Sequence, residues 1–327
     1  MLLLKKADIQ KCYTLKDAMA AVTEAFRLFS KGEVEVPLRT QIVNRQQTGS
    51  YLCMPAFCES ADAACVKVLD MFPDNPKQNL PTINAQVLTI DTNTGVINGM
   101  MDGNYVTQLR TGAASGVAFQ NLARQNCTKG AVIGTGGQAA TQLEAMLNAR
   151  KLELVEVSDR DYPRAQEFAQ AMSEQLADYG AKIVAVPTAD EAVRDADLII
   201  SVTSSTQPVY DGKLVKAGAT VSGVGAYQPQ MQETPVELLQ RTDKIYFDSQ
   251  EAVLAESGDL IIPLKQKTIN QDKFVGDLGQ VISGDLPARE NDQEIIFFET
   301  VGIAAQDLLT AKSIYDRALA ANVGMQW

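Results

Sequence analysis

No histidine occurs anywhere in the 327 residues. Its absence removes the commonest general base and the commonest metal ligand, so acid–base chemistry falls to Lys, Asp, Glu, Tyr or a bound substrate, and no metal site is expected. Cysteine is scarce as well. The five present, Cys12, Cys53, Cys58, Cys65 and Cys127, form an odd set without a CxxC pair, which argues for free thiols rather than a disulfide framework. A nucleophilic thiol would also lack its usual imidazole partner. Long apolar runs are missing too: the opening Met1-Leu2-Leu3-Leu4 stops at Lys5-Lys6, too short for a signal-peptide core or a membrane span. Positive charge is in deficit, with 29 Lys and Arg against 40 Asp and Glu. The resulting net charge of -11 repels phosphate backbones and anionic membranes. Neither nucleic acid nor membrane is an expected partner, and the chain reads as cytoplasmic.

What is present is the composition of a globular protein, 46% hydrophobic and 21% charged, in a chain long enough for two domains. Apolar residues at helical spacing from Leu15 to Phe29 follow the N-cap candidate Thr14 and stop at Gly32. From Val36 to about Met101, short runs rich in Val, Ile, Leu and Thr between turn clusters predict a mainly antiparallel sheet. Its clearest hairpin joins 85–91 to 96–101. An Ala-rich helix over 107–122 leads to Gly130. Beyond it, strand and helix alternate: strands at 131–133, 153–157, 182–186, 197–202, 220–224 and 244–247, with helices near 137–149 and 163–176. Alternation of this kind requires a parallel sheet with helices on both faces. A last helix over 301–319 is expected to return to the first domain. The fold class is therefore α/β: a Rossmann doubly wound parallel sheet over 116–302, plus a discontinuous α+β domain over 1–115 and 303–327.

Gly134-Thr135-Gly136-Gly137-Gln138-Ala139 follows a predicted strand and opens a predicted helix, the context that marks a dinucleotide-binding turn. Gly134 permits the tight turn, Gly136 admits the pyrophosphate to backbone amides, and Ala139 keeps helix and strand close. Asp159 ends the next strand, where a carboxylate meets the ribose 2′-hydroxyl of NAD and repels the 2′-phosphate of NADP. The neighbouring Arg160 would accommodate that phosphate if Asp159 turned away, so NAD(H) is favoured and NADP(H) stays the alternative.

The chain resembles the ornithine cyclodeaminase/mu-crystallin family over nearly its whole length. The resemblance rests on Met54-Pro55-Ala56, Val66-Lys67-Val68, Leu80-Pro81-Thr82, 108–115 (Gln-Leu-Arg-Thr-Gly-Ala-Ala-Ser), the glycine turn, Thr203-Ser204-Ser205, 248–252 and 256–260. It implies a homodimer with NAD(H) or NADP(H) and a small α-imino or α-amino carboxylate as substrate, with 1–115 and 303–327 as the substrate-binding and dimerisation domain. Cofactor contacts are implied at Thr82, Arg110, Thr111, 134–139, Asp159, Arg160, Thr203, Val224, Gly225 and Gly302. The segment 298–302 resembles the one that closes over the nicotinamide, where many members carry lysine in place of Glu299.

Lys67 lies inside the apolar run 63–69, where a charge is expensive unless partnered, and an anionic substrate is one such partner. Taken alone, a strand lysine more often faces solvent. By resemblance, Arg39, Lys67 and Arg110 are the catalytic cations that hold the substrate carboxylate, with Met54 and Tyr227 shaping the pocket. Cyclodeaminases place an aspartate where this chain has Tyr227. Losing that carboxylate weakens the case for expelling ammonia, whereas hydride delivery to a preformed C=N bond makes a smaller demand. The expected activity is NAD(P)H-dependent reduction of a cyclic ketimine carboxylate such as Δ1-pyrroline-2-carboxylate. The alternatives are an ornithine cyclodeaminase or alanine dehydrogenase-type enzyme, or a non-catalytic binding protein of the crystallin type.

Overall fold

A computed structural model describes residues 1–37, 39–46 and 48–327. The chain divides into two compact units, 1–110 with 303–327, and 111–302.

The first unit opens with β1 (Leu2–Leu4), α1 (Lys6–Cys12) and α2 (Leu15–Ser30). Thr14 and Asp17 form a reciprocal capping box at the start of α2. Leu15, Ala18, Met19, Val22, Ala25 and Phe26 make its buried face at the expected helical spacing. Then come β2 (Thr40–Val43), β3 (Ser50–Cys58), β4 (Ala63–Met71), β5 (Ile83–Ile90) and β6 (Ile97–Asp102), which pair antiparallel in succession. The apolar first residues are not idle: β1 adds to the free side of β6 in parallel. Three residues are too few to carry a period, so this strand has no signal in the sequence.

Helix α3 (Gly103–Leu122) carries the chain into the second unit, which runs β7 (Lys129–Ile133), α4 (Ala139–Ala149), β8 (Leu154–Ser158), α5 (Tyr162–Gln175), β9 (Lys182–Ala185), α6 (Ala189–Val193), β10 (Leu198–Ser201) and β11 (Thr220–Gly223). It continues through α7 (Val236–Arg241), β12 (Lys244–Phe247), α8 (Gln250–Glu256), α9 (Gly258–Lys265), β13 (Phe274–Asp277), α10 (Leu278–Ser283) and β14 (Ile296–Glu299). All eight strands are parallel, in the order β13-β12-β14-β11-β10-β7-β8-β9. Alternate residues pack on opposite faces: Ala131, Ile133 and Ile199 join one core, Val132, Leu198 and Ile200 the other. The chain winds one way from β7 to β8 and the other way to β10, so the crevice at the carboxyl ends of these strands is the usual ligand position. Two strands, β13 and β14, were not expected from sequence. β14 lies inside the sheet between β12 and β11, and its residues 296–299 are buried on both faces, leaving no alternation to read.

The chain then returns to the first unit as α11 (Ala304–Ala320) and β15 (Met325–Gln326). α11 packs on α2 and on β4, and β15 completes a seven-stranded sheet beside β1. Among the described residues no helix is long and apolar enough to cross a membrane.

Candidate active site

Lys67 is on β4, opposite Met54 of β3, on the face of the sheet turned to the core. Only 2% of it is exposed, so the solvated-face alternative is ruled out. Its neighbour Val68 takes the outer face instead, as the two-residue period of a strand dictates. The partner of Lys67 is Asp307 in the first turn of α11, with Nζ donating to Oδ2 at 2.6 Å. Arg110 of α3 joins them. Its Nε lies 3.3 Å from Asp307 Oδ1, an ion pair without hydrogen-bond alignment, and its Nη1 donates to Gln306 Oε1 at 3.0 Å. Burial pushes the Lys67 ammonium down and Asp307 pushes it back up; with Arg110 and Arg39 also lowering it, the outcome is about 8. Burial works against the Asp307 carboxylate, yet Lys67 and Arg110 hold it below its ordinary value. Lys67 and Arg110 against Asp307 leave one positive charge in excess. Arg110 Nε, Gln306 Nε2 and Asp307 Oδ1 are buried without hydrogen-bond partners among the described residues. Such a cluster suits an anion with several acceptor atoms.

In the second unit, Gly134 adopts φ +97°, and a Cβ there would stand 2.8 Å from the carbonyl oxygen of Val202. It is required both by conformation and by close approach. Gly136 and Gly137 differ, because a Cβ at either would meet nothing within 4 Å. The space over this part of the turn is open, as a bound pyrophosphate requires. Helix α4 starts at Ala139, two residues later than expected, with Gln138 at the N-cap making no side-chain cap bond. Asp159 Oδ2 accepts from Thr135 N and Oγ1 at 2.9 and 2.7 Å, and Oδ1 accepts from Asp161 N. Burial raises this carboxyl, but the donors outweigh it and hold the group below its ordinary value. Arg160 is exposed, whereas Arg164 donates to the carbonyl of Thr135 at 3.1 Å.

The strand ends on the other side of the turn are tied by carboxylates. Glu233 accepts from Thr203 N and Oγ1 with one oxygen and from Gly225 N and Val224 N with the other. Gly225 has no room for a side chain, since a Cβ would meet the carbonyl oxygen of Thr203 at 1.9 Å. Asp259 accepts from the backbone N–H groups of Glu233 and Thr234, Ser257 Oγ donates to Glu299, and Asp248 accepts from Thr300 Oγ1 and Gly302 N. Glu233, Asp259, Glu299 and Asp248 are all buried. Burial and Asp259 push Glu233 up to about 8, and burial with Asp259 and Glu233 nearby pushes Glu299 well above its usual range. Glu233 has donors on both oxygens, whereas Glu299 Oε2 has no hydrogen-bond partner among the described residues. Of the two, Glu299 is the one whose carboxyl is left with an unsupported oxygen, so burial favours its protonated form most strongly.

Residues 1–322 match the ornithine cyclodeaminase/mu-crystallin family. The chain belongs to that family. A Δ1-pyrroline-2-carboxylate reductase of Bacillus cereus is 35% identical over 324 residues, 99% of this chain and 98% of the relative. The structure of Thermococcus litoralis Δ1-pyrroline-2-carboxylate reductase in complex with NADH and L-proline superposes with a TM-score of 0.94, at 37% identity and with both chains fully covered. An archaeal alanine dehydrogenase dimer with bound NAD gives a TM-score of 0.90 at 33% identity, covering 99% of this chain and 98% of the other.

Within this family member, the sequence-derived residues gather unit by unit. In the first unit Lys67 and Arg110 meet at Asp307, Met54 stands across the ladder from Lys67, and the charge of Arg39 acts on Lys67. Thr82 lies outside that knot, its carbonyl accepting from Phe72 N. In the second, the glycine turn meets Asp159 and Thr203, while Thr111 accepts Gln142 Nε2 at its carbonyl. Burial raises the Tyr227 phenol. Asp307, Gln306, Glu233 and Arg164 were not anticipated. For Asp307 a signal existed: Gln306-Asp307 interrupts the apolar face of a helix after Gly302, and both side chains are fully buried.

Proposed function

We propose that the protein is an NAD(H)-dependent reductase of a cyclic ketimine carboxylate, with Δ1-pyrroline-2-carboxylate and L-proline as the leading substrate and product. The observation that carries this is the buried knot of Lys67, Arg110 and Asp307, which has one positive charge in excess and donor groups still unpaired. It fits a small carboxylate, and relatives named for this reaction align over the whole chain.

In this reading Arg39, Lys67 and Arg110 hold the carboxylate, Met54 and Tyr227 bound the ring, and Lys67 Nζ supplies the proton to nitrogen. Reduced nicotinamide, when bound, supplies the hydride to the α-carbon. The open faces of Gly136 and Gly137 and the start of α4 take the pyrophosphate, and Thr203, Val224, Gly225 and Gly302 take the nicotinamide side. Asp159 favours NAD(H) by opposing a 2′-phosphate, and Arg160 is the counter-feature that a test of NADPH addresses. A homodimer belongs to the same reading. Ile42, Tyr51 and Val68 are exposed on one face of β2–β4, and the archaeal relative is a dimer. So does a cytoplasmic setting, since all five cysteines are free.

Purified protein with NADH and with NADPH is to be assayed on Δ1-pyrroline-2-carboxylate and Δ1-piperideine-2-carboxylate. Cofactor oxidation with formation of the cyclic amino acid is expected, faster with NADH. If neither imine is reduced the assignment fails, and NADH formation from alanine or ammonia release from ornithine would redirect it.

A further inference from the structure

The Lys67 ammonium has been taken out of water at 2% exposure and stands in the field of two guanidinium groups, Arg110 on α3 and Arg39 before β2. Cys65, two residues away on the same face of β4, is a buried thiol whose own ionisation burial suppresses. Asp307 alone among the described groups that act on Lys67 favours its charged form. It does so in direct contact at 2.6 Å, from the amino-terminal turn of α11, where unpaired backbone N–H groups stabilise a carboxylate. It also reaches Arg110, so one side chain fixes the distance between two of the three cations.

We propose that Asp307 is a positioning residue for the reduction: its carboxylate, seated against Lys67 and Arg110 together, holds the Lys67 ammonium where Nζ can pass a proton to the substrate nitrogen. The inference rests on the reductase reading. In the step, an N–H bond of Lys67 breaks and one forms at the ring nitrogen while the α-carbon gains hydride from NADH. C=N becomes CH–NH, NADH becomes NAD+, and Lys67 is left neutral until water returns its proton. Asp307 stays ionised throughout and never touches the substrate. Without it, burial and the two guanidinium groups act unopposed, and Lys67 loses its proton at lower pH.

The test compares full-length wild type, Asp307→Asn and Asp307→Glu. At pH 8, Asp307→Asn should lower kcat by about 100-fold, with KM for the imine changed by less than about 3-fold. The pH above which kcat declines should move down by about one unit or more, and Asp307→Glu should restore the wild-type limb. NADH affinity, followed by fluorescence, should stay within about 2-fold, because the ion pairs of Asp307 run to Lys67 and Arg110 and not to the glycine turn. A uniform loss at every pH with the limb in place would overturn the proposal in favour of a purely structural role. If Asp307→Asn does not fold, Asp307→Ala takes its place and must lower the Lys67 titration midpoint, while Asp307→Glu keeps it near wild type, read by NMR of 15N-lysine protein without ligands. That readout also stands when wild type reduces neither imine, in which case the functional reading fails by itself. An unchanged Lys67 midpoint in the variant that lacks the carboxylate would sink the Asp307 role.

Discussion

Among the buried groups of charged side chains, two, one in each unit, solve the same electrostatic problem differently. In the first unit Lys67, Arg110 and Asp307 neutralise one another in part and keep a positive excess. In the second, Glu233, Asp259, Glu299 and Asp248 have one sign only, and backbone N–H groups, hydroxyls and a retained proton replace a counter-charge. A buried charge is tolerated only when ionic or hydrogen-bonding partners replace water. The mixed cluster therefore keeps a charge available for chemistry, and the acidic one fixes loops. It ties Thr203, Gly225 and Gly302 at the carboxyl ends of strands, where backbone placement decides what a flat ring can rest on.

If that division is right, the largest effect belongs to the mixed cluster. Lys67→Ala should reduce turnover of the imine by about 1,000-fold, since both a carboxylate contact and a proton source disappear. Binding of NADH, measured separately by fluorescence titration, should be nearly unaltered. Unchanged turnover would remove Lys67 from the chemistry and with it the contrast between the clusters. Next comes the acidic cluster. Glu233→Ala strands the N–H groups of Thr203 and Gly225 in a buried site and should cost about 3 kcal/mol of stability in urea unfolding. A loss under about 0.5 kcal/mol would mean that water or a shifted loop replaces the carboxylate easily.

The comparison also explains what could be read from the sequence. The glycine turn was legible because Gly134 answers a local demand, a positive φ with no space for Cβ, and its strand–turn–helix context is local too. Lys67 stood out as a charge in an apolar run, although whether it faced core or solvent depended on strand register and on α11, which arrives 240 residues later. Asp307 was missed for that reason, the pair being defined by tertiary packing and by no short motif. The acidic cluster was invisible as a unit: its members come from four separate segments and share only a destination. β14 was missed because a strand buried on both faces has no alternation, and the same burial is what makes Glu299 unusual.

The smallest effect is the most discriminating. Glu299 holds its proton far above the ordinary carboxyl range because of burial and the neighbouring Asp259 and Glu233. In a window that opens at about pH 4.5 and extends upward, the folded chain therefore keeps a proton that the unfolded chain has lost. Stability from this cluster must fall as pH rises through that window. Lys67 works oppositely: its folded value of about 8 lies below 10.5, so between those limits the unfolded chain binds the extra proton and stability rises with pH. Glu299→Gln has nearly the same shape, retains an oxygen for Ser257 Oγ, and cannot ionise. Relative to wild type its stability should therefore rise between pH 5.5 and 7.5, by up to about 2.7 kcal/mol for one retained proton, read from urea midpoints without ligand. Parallel pH profiles for the two proteins would show that the proton resides elsewhere. The acidic group would then have to be held in its ionised form by backbone donors alone, and the two clusters would differ in sign without differing in how they are held.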